Sequence, residues 1–278
     1  MGVLLTAEAL YERLQDADVV VFDCRFQLGD AAAGRTQYLA GHIPGAYYLD
    51  LEQDLSGPVS VHGGRHPLPD PAELAAKLAA AGVTESSQVV VYDVGGGMAP
   101  RAWWLIRYLG HDRCAVLDGG FSAWQRANLP VETDVPAPKP GHLEPRVRHD
   151  WIVSTADVEA AMSGRLPLTL VDARAPERYR GDVEPLDPVA GHIPGAHNRP
   201  WTDGVRADGT WKSAAEQAAR FAGLVDTGIP VMYCGSGVTA CANLFALALA
   251  GVSGAKLYPG SWSDWCSYPE HPVATGEG

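Results

Sequence analysis

Ile229-Pro230-Val231-Met232-Tyr233-Cys234-Gly235-Ser236-Gly237-Val238-Thr239 runs from an apolar stretch, through a glycine-rich turn, into an alanine-rich stretch that reads as a helix. Such a passage is how a buried strand hands over to a helix. The same passage occurs earlier, where Val89 to Tyr92 lead to Asp93, a glycine turn and a second helical pattern. Other echoes confirm the spacing. Asp18-Val19-Val20-Val21-Phe22-Asp23 is matched by Leu168-Thr169-Leu170-Val171-Asp172, each with an arginine two residues past the aspartate, Arg25 and Arg174. Gly-His-Ile-Pro-Gly-Ala follows at 41–46 and again at 191–196. The chain therefore reads as an internal duplication, and one copy carries a thiol where the other carries Asp93.

Working outward, helices are expected at 71–81, with Pro71 in the first turn and Gly82 as a stop, and at 213–222 before Gly223. Further helices are expected at 100–109 and 239–250, and short strands at 115–117 and 255–258. Alternating strands and helices predict an α/β fold with mainly parallel sheets flanked by helices. At 278 residues and 46% apolar content the chain can bury two cores. Pro130, Pro136, Pro138, Pro140 and Pro145 mark a stiff, extended connection. The expected division is a domain at 1–135, a linker at 136–149 and a domain at 150–278.

The formal charge of −12 disfavours nucleic acid and anionic membrane surfaces as partners. No apolar run approaches the length of a membrane span, and no basic-then-apolar leader opens the sequence. A soluble, cytoplasmic protein is the expectation. Five cysteines without framework spacing suggest reduced thiols rather than staples.

Features shared by both copies read as architecture, and features of one copy as chemistry. His42 and His192 in their identical turns, and the Asp23/Arg25 and Asp172/Arg174 pairs, fall in the first group. Trp262 reads as packing that could also wall a pocket. Cys24, Cys114 and Cys266 look structural, and Cys241 looks like helix packing. Cys234 falls in the second group. Gly235 and Gly237 permit backbone conformations that turn successive amides toward a sulfur, and the helix start from about Val238 adds its positive end. Both favour an anionic, nucleophilic sulfur. Cysteine phosphatases share this logic but place an arginine six positions after the cysteine, and that position here is Ala240. A non-catalytic binding module is the other rival, and it requires an inert Cys234.

The tandem halves, the Gly-His-Ile-Pro-Gly turns, the Asp-x-Arg strand ends and the Cys-Gly-Ser-Gly-Val-Thr loop together resemble the two-domain rhodanese family of sulfurtransferases. The loop looks most like that of the 3-mercaptopyruvate enzymes, since thiosulfate enzymes typically carry cations at the positions of Gly235 and Ser236. The resemblance implies two tandem rhodanese-like domains, of which only the second is catalytic. It implies that Cys234 takes sulfur from a small anionic donor, 3-mercaptopyruvate or alternatively thiosulfate. The resulting persulfide is passed to cyanide or to a thiol such as thioredoxin or glutathione, with no cofactor or metal. By the same correspondence Gly235, Gly237, Val238 and Thr239 form the cradle and Arg178 binds the donor's anionic group. Ser236, His66 and Glu52 form a Ser/His/acid line. The family's second carboxylate-binding arginine falls in Val183-Glu184-Pro185-Leu186-Asp187-Pro188, where acids stand instead. Either Arg180 or Arg199 replaces it, or the preferred donor differs.

Overall fold

The computed structural model describes residues 2–225 and 227–277. Within them the chain forms two compact units. The first holds a parallel sheet of β1 (Leu4–Leu5), β2 (Val19–Asp23), β3 (Tyr47–Tyr48), β4 (Gln88–Tyr92) and β5 (Cys114–Leu117), in the order β1-β5-β4-β2-β3. Its helices are α1 (Ala7–Tyr11), α2 (Ala33–Ala40), α3 (Pro71–Ala80), α4 (Met98–Tyr108) and α5 (Gly120–Arg126). The second unit repeats the scheme with β6 (Leu168–Asp172), β7 (His197–Asn198), β8 (Ile229–Tyr233) and β9 (Lys256–Leu257), in the order β7-β6-β8-β9 and again parallel. Around it lie α6 (Thr155–Met162), α7 (Pro176–Arg180), α8 (Ala214–Phe221), α9 (Ala240–Leu249) and α10 (Ser261–Trp265).

The local chemistry explains these boundaries. Asp70 caps α3 by accepting from the amides of Ala72 and Glu73, with Pro71 at the first turn where no amide is needed. Ser213 and Glu216 close a reciprocal capping box on α8. The Val-rich β4 is buried along its whole length, as a strand covered on both faces must be. Each unit has its own core: Val21, Val90, Tyr92, Phe121 and Trp124 in the first, Leu170, Val231, Tyr233, Trp262 and Trp265 in the second.

The shared motifs are architectural, as expected. Arg25 grips Asp23 and the Gly41 carbonyl, and Arg174 grips Asp172 and the Gly191 carbonyl. His42 and His192 stack on Tyr38 and Tyr179 at 4.0 and 3.7 Å, each with Nδ1 against that tyrosine's backbone carbonyl.

Residues 136–148 belong to the first unit, where Lys139 and Gly141 donate to the Ala80 and Ala79 carbonyls and Leu143 is buried. Residues 206–211 group with the first unit, and residues 58–68 with the second. A proline stretch is extended, but extension does not decide what it lies against.

Candidate active site

Parallel strands deliver their C-terminal ends to one edge of a sheet, where ligands bind in such folds. Cys234 leaves β8 at that edge in the second unit. Its carbonyl accepts from the Trp262 amide at 2.9 Å, and its amide donates to the Ser261 hydroxyl at 3.1 Å. Ser261 holds a left-handed conformation, φ 55°, that is costly for a residue with a side chain. Its hydroxyl, bonded onward to the Tyr258 carbonyl, ties that strain to the cysteine loop. Gly237 has φ 76°, and a Cβ there would fall 2.3 Å from the Pro259 carbonyl oxygen. Gly237→Ala is therefore expected to destabilise the fold by about 2 kcal/mol or more and to displace the loop. Thermal unfolding and the rate of Cys234 alkylation, measured on one preparation, check both effects.

The first repeat shows what such a loop does. Asp93 accepts from the amides of Gly95 and Gly96 at 2.7 and 2.8 Å on one oxygen, and from Met98 and Ala99 at 2.9 Å each on the other. Four amides thus enclose an anion. Counted from Cys234, the corresponding positions are Ser236, Gly237, Thr239 and Ala240. In the first turn of α9 the Cys241 and Ala242 amides close onto the Val238 and Thr239 carbonyls at 3.1 Å each.

Residues 58–68 are strapped to the second unit beside this loop. His62 stacks on Tyr268 at 4.0 Å and bonds the Ser267 hydroxyl. The Gly63 amide donates to Asp264 at 2.7 Å, and the Arg65 amide to Ser263 at 3.1 Å. A Cβ on Gly64 would meet the Gly260 carbonyl oxygen at 2.4 Å, so only glycine allows this approach. The strap brings His66 Nδ1 to 2.8 Å from the Ser236 hydroxyl, with both residues buried. Glu52 lies in the first unit on an exposed turn, its amide bonded to Asp50.

Arg178, on α7, pairs with Glu184 at 2.7 Å and with Asp187 at 3.3 Å. Asp187 also pairs with Arg65, and Glu184 with Arg174 at 3.3 Å. Three guanidiniums, Arg65, Arg174 and Arg178, thus face three carboxylates, Asp172, Glu184 and Asp187. Cys234 is only 2% exposed, and at the next residue a Cβ on Gly235 would lie 2.9 Å from Arg65 Nη2 and 3.5 Å from Arg178 Nη1 and Nη2. Burial, then the charge of Arg178, push the Arg65 guanidinium below its ordinary pKa, while Cys234 acts the other way.

Arg180 and Arg199 lie together, apart from the Arg65–Arg178 cluster. Both line a cavity of about 460 Å³ that Cys234 does not reach. Arg180 binds Asp182, and Arg199 donates to the carbonyls of Arg220 and Asn198. Sequence reasoning missed Arg65 and treated Glu184 and Asp187 only as missing arginines. The available signal for Arg65 was a lone cation beside His66 in a segment rich in Gly, Ser and Pro. Trp262 is fully buried with its indole on the Val189 carbonyl, and Arg174 lies over its ring at 4.8 Å. Cys241 is buried against the Gly237 carbonyl. Among the described residues no cluster of His, Cys, Asp or Glu is arranged to hold a metal ion, and no helix is long and apolar enough to cross a membrane.

Residues 6–127 and 154–268 each match the rhodanese-like domain. A probable 3-mercaptopyruvate sulfurtransferase from Pseudomonas aeruginosa is 49% identical, covering 99% of this chain and 98% of the relative. A putative thiosulfate sulfurtransferase, SseB, from Mycobacterium tuberculosis is 41% identical, covering 99% and 97%. The crystal structure of SseA from Escherichia coli, described in terms of the rhodanese fold of 3-mercaptopyruvate sulfotransferases, superposes with a TM-score of 0.83 at 34% identity, covering 95% of this chain and all of that one. Two matched repeats, and relatives that align along nearly their whole length, show that the chain belongs to the rhodanese family.

Proposed function

We propose that this protein is a sulfurtransferase that takes sulfur from 3-mercaptopyruvate onto Cys234 and delivers it to a thiol. The observation that carries this reading is Cys234 at the mouth of a glycine loop, with the Arg178 and Arg65 guanidiniums on one side and the Ser236–His66 pair in the same unit. The Cys234 thiolate attacks the donor's sulfur. The C–S bond breaks toward carbon, the electron pair remaining as the enolate of pyruvate, and a Cys234 persulfide forms. Ser236, linked to His66, can hydrogen-bond the donor's carbonyl oxygen as charge grows there, which lowers the barrier because the donor group is already in place. The persulfide's proton balances protonation of the enolate carbon. An acceptor thiolate, such as that of thioredoxin or glutathione, or cyanide, then removes the outer sulfur and restores Cys234. Glu52 keeps the acid role that the family correspondence gives it, and Gly235, Gly237, Val238 and Thr239 that of the cradle.

Thiosulfate is the second reading, supported by the naming of the Mycobacterium tuberculosis relative. Charge favours the first. The ion-pair cluster beside the loop has no surplus positive charge to offset a dianion next to a thiolate. One extra unit charge at about 4 Å costs roughly 1 to 4 kcal/mol near a protein surface. Steady-state kcat/KM with cyanide as acceptor is therefore expected to be at least about tenfold higher for 3-mercaptopyruvate than for thiosulfate. The reverse order would overturn the donor assignment. The five free cysteines are consistent with a reducing, cytoplasmic setting.

A further inference from the structure

We infer that Arg65 supplies the second guanidinium for the donor's carboxylate, so that the seat for the donor is built from Arg65 and Arg178 and Arg65 determines donor specificity. This inference rests on the sulfurtransferase reading and extends it to a residue on a different segment from the one where the family's arginine is expected.

The argument comes from which nitrogens are already used. Asp187 takes one oxygen to Arg65 Nη1 and the other to Arg178 Nη2, the latter at 3.3 Å. One buried carboxylate therefore spans and clamps the two guanidiniums. Arg65 Nη2 and Arg178 Nη1 take no part in that clamp. Arg65 Nη2 and both Nη1 and Nη2 of Arg178 are the atoms that a Cβ on Gly235, the residue after Cys234, would approach, at 2.9, 3.5 and 3.5 Å. A donor carboxylate can take one oxygen to Arg65 Nη2 and the other to Arg178 Nη1 while Asp187 stays in place as the clamp. Planar guanidiniums suit such paired recognition because their N–H groups are fixed in a fork. Arg174 cannot serve, since its side chain is 1% exposed and committed to Asp172, Glu184 and the Gly191 carbonyl. Arg65 and Arg178 keep 31% and 18% of their side-chain surface. Gly235 is then explained as well, for a side chain there would press on the Arg65 fork.

The test compares wild type with Arg65→Ala and Arg65→Lys on two donors, 3-mercaptopyruvate and mercaptoacetone, a mercaptoketone that lacks the carboxylate, with cyanide as acceptor and with pyruvate binding followed by calorimetry. Arg65→Ala is expected to raise the KM for 3-mercaptopyruvate about tenfold or more. The ratio of kcat/KM between 3-mercaptopyruvate and mercaptoacetone should fall by a similar factor, and pyruvate should bind about tenfold more weakly. Arg65→Lys keeps the charge and loses the fork, so partial recovery is expected. If Arg65→Ala does not fold, Arg65→Lys decides, because a donor ratio and pyruvate affinity equal to wild type would overturn the inference. Failure of the underlying donor reading looks different. The wild type would then accept sulfur from thiosulfate and not from 3-mercaptopyruvate, and the pyruvate titration would still settle the role of Arg65.

Discussion

Cys234→Ser will lower sulfur transfer by at least about a thousandfold while leaving the fold intact, and no added sulfur will be found at position 234 after exposure to donor. The size follows from the chemistry. Serine can occupy the same space and keep the amide bond to Ser261, but its oxygen cannot carry a sulfur atom and release it to a second thiol. Intact-protein mass spectrometry with and without donor, followed by peptide mapping, checks the site. Sulfur mapping instead to Cys241 or Cys266 in the wild type would move the chemistry away from the loop. The fold should not notice, since the substituted atom is small and the loop is held by Trp262, Ser263 and Pro259 through backbone contacts.

Asp93→Ala is expected to destabilise the protein by about 2 to 4 kcal/mol, because four amides lose their acceptor in a turn with little access to water. Asp93→Asn keeps one acceptor oxygen and should cost roughly half as much. Urea titration followed by circular dichroism distinguishes the two substitutions. An unchanged midpoint for Asp93→Ala would mean that the cradle is a surface turn that water satisfies as well as a carboxylate does. The expected contrast is instructive: the same kind of loop is a structural anchor in one repeat and a reaction site in the other, according to whether its anion is fixed or exchangeable.

Much of this molecule could be read from its residues. The strands at 19–23, 88–92, 168–172 and 229–233 fall within a residue of expectation, because a β-branched run ending at a polar residue reports its own burial. The helix over 71–80 was legible from Pro71 and Gly82. Repetition did the rest, since any feature present beside Asp93 as well as beside Cys234 needed no catalytic explanation. What the sequence concealed was packing without a local pattern. Nothing in Pro58-Val59-Ser60-Val61-His62-Gly63-Gly64-Arg65 announces that the segment groups with the second unit. The pairing of His66 with Ser236 came from family correspondence, not from periodicity. Likewise Glu184 and Asp187 read as a loss of positive charge, whereas in three dimensions they hold Arg178, Arg174 and Arg65 in place.

The strap has a consequence for what counts as the enzyme. A polypeptide severed in the proline-rich stretch would retain the nucleophile, α7 and the serine of the loop, but would forfeit both the imidazole and one of the two forks beside the sulfur. The repeat that carries Asp93 is thus no idle passenger: its stretch of sequence supplies two side chains that group with the working unit, and the smallest competent unit is discontinuous along the gene.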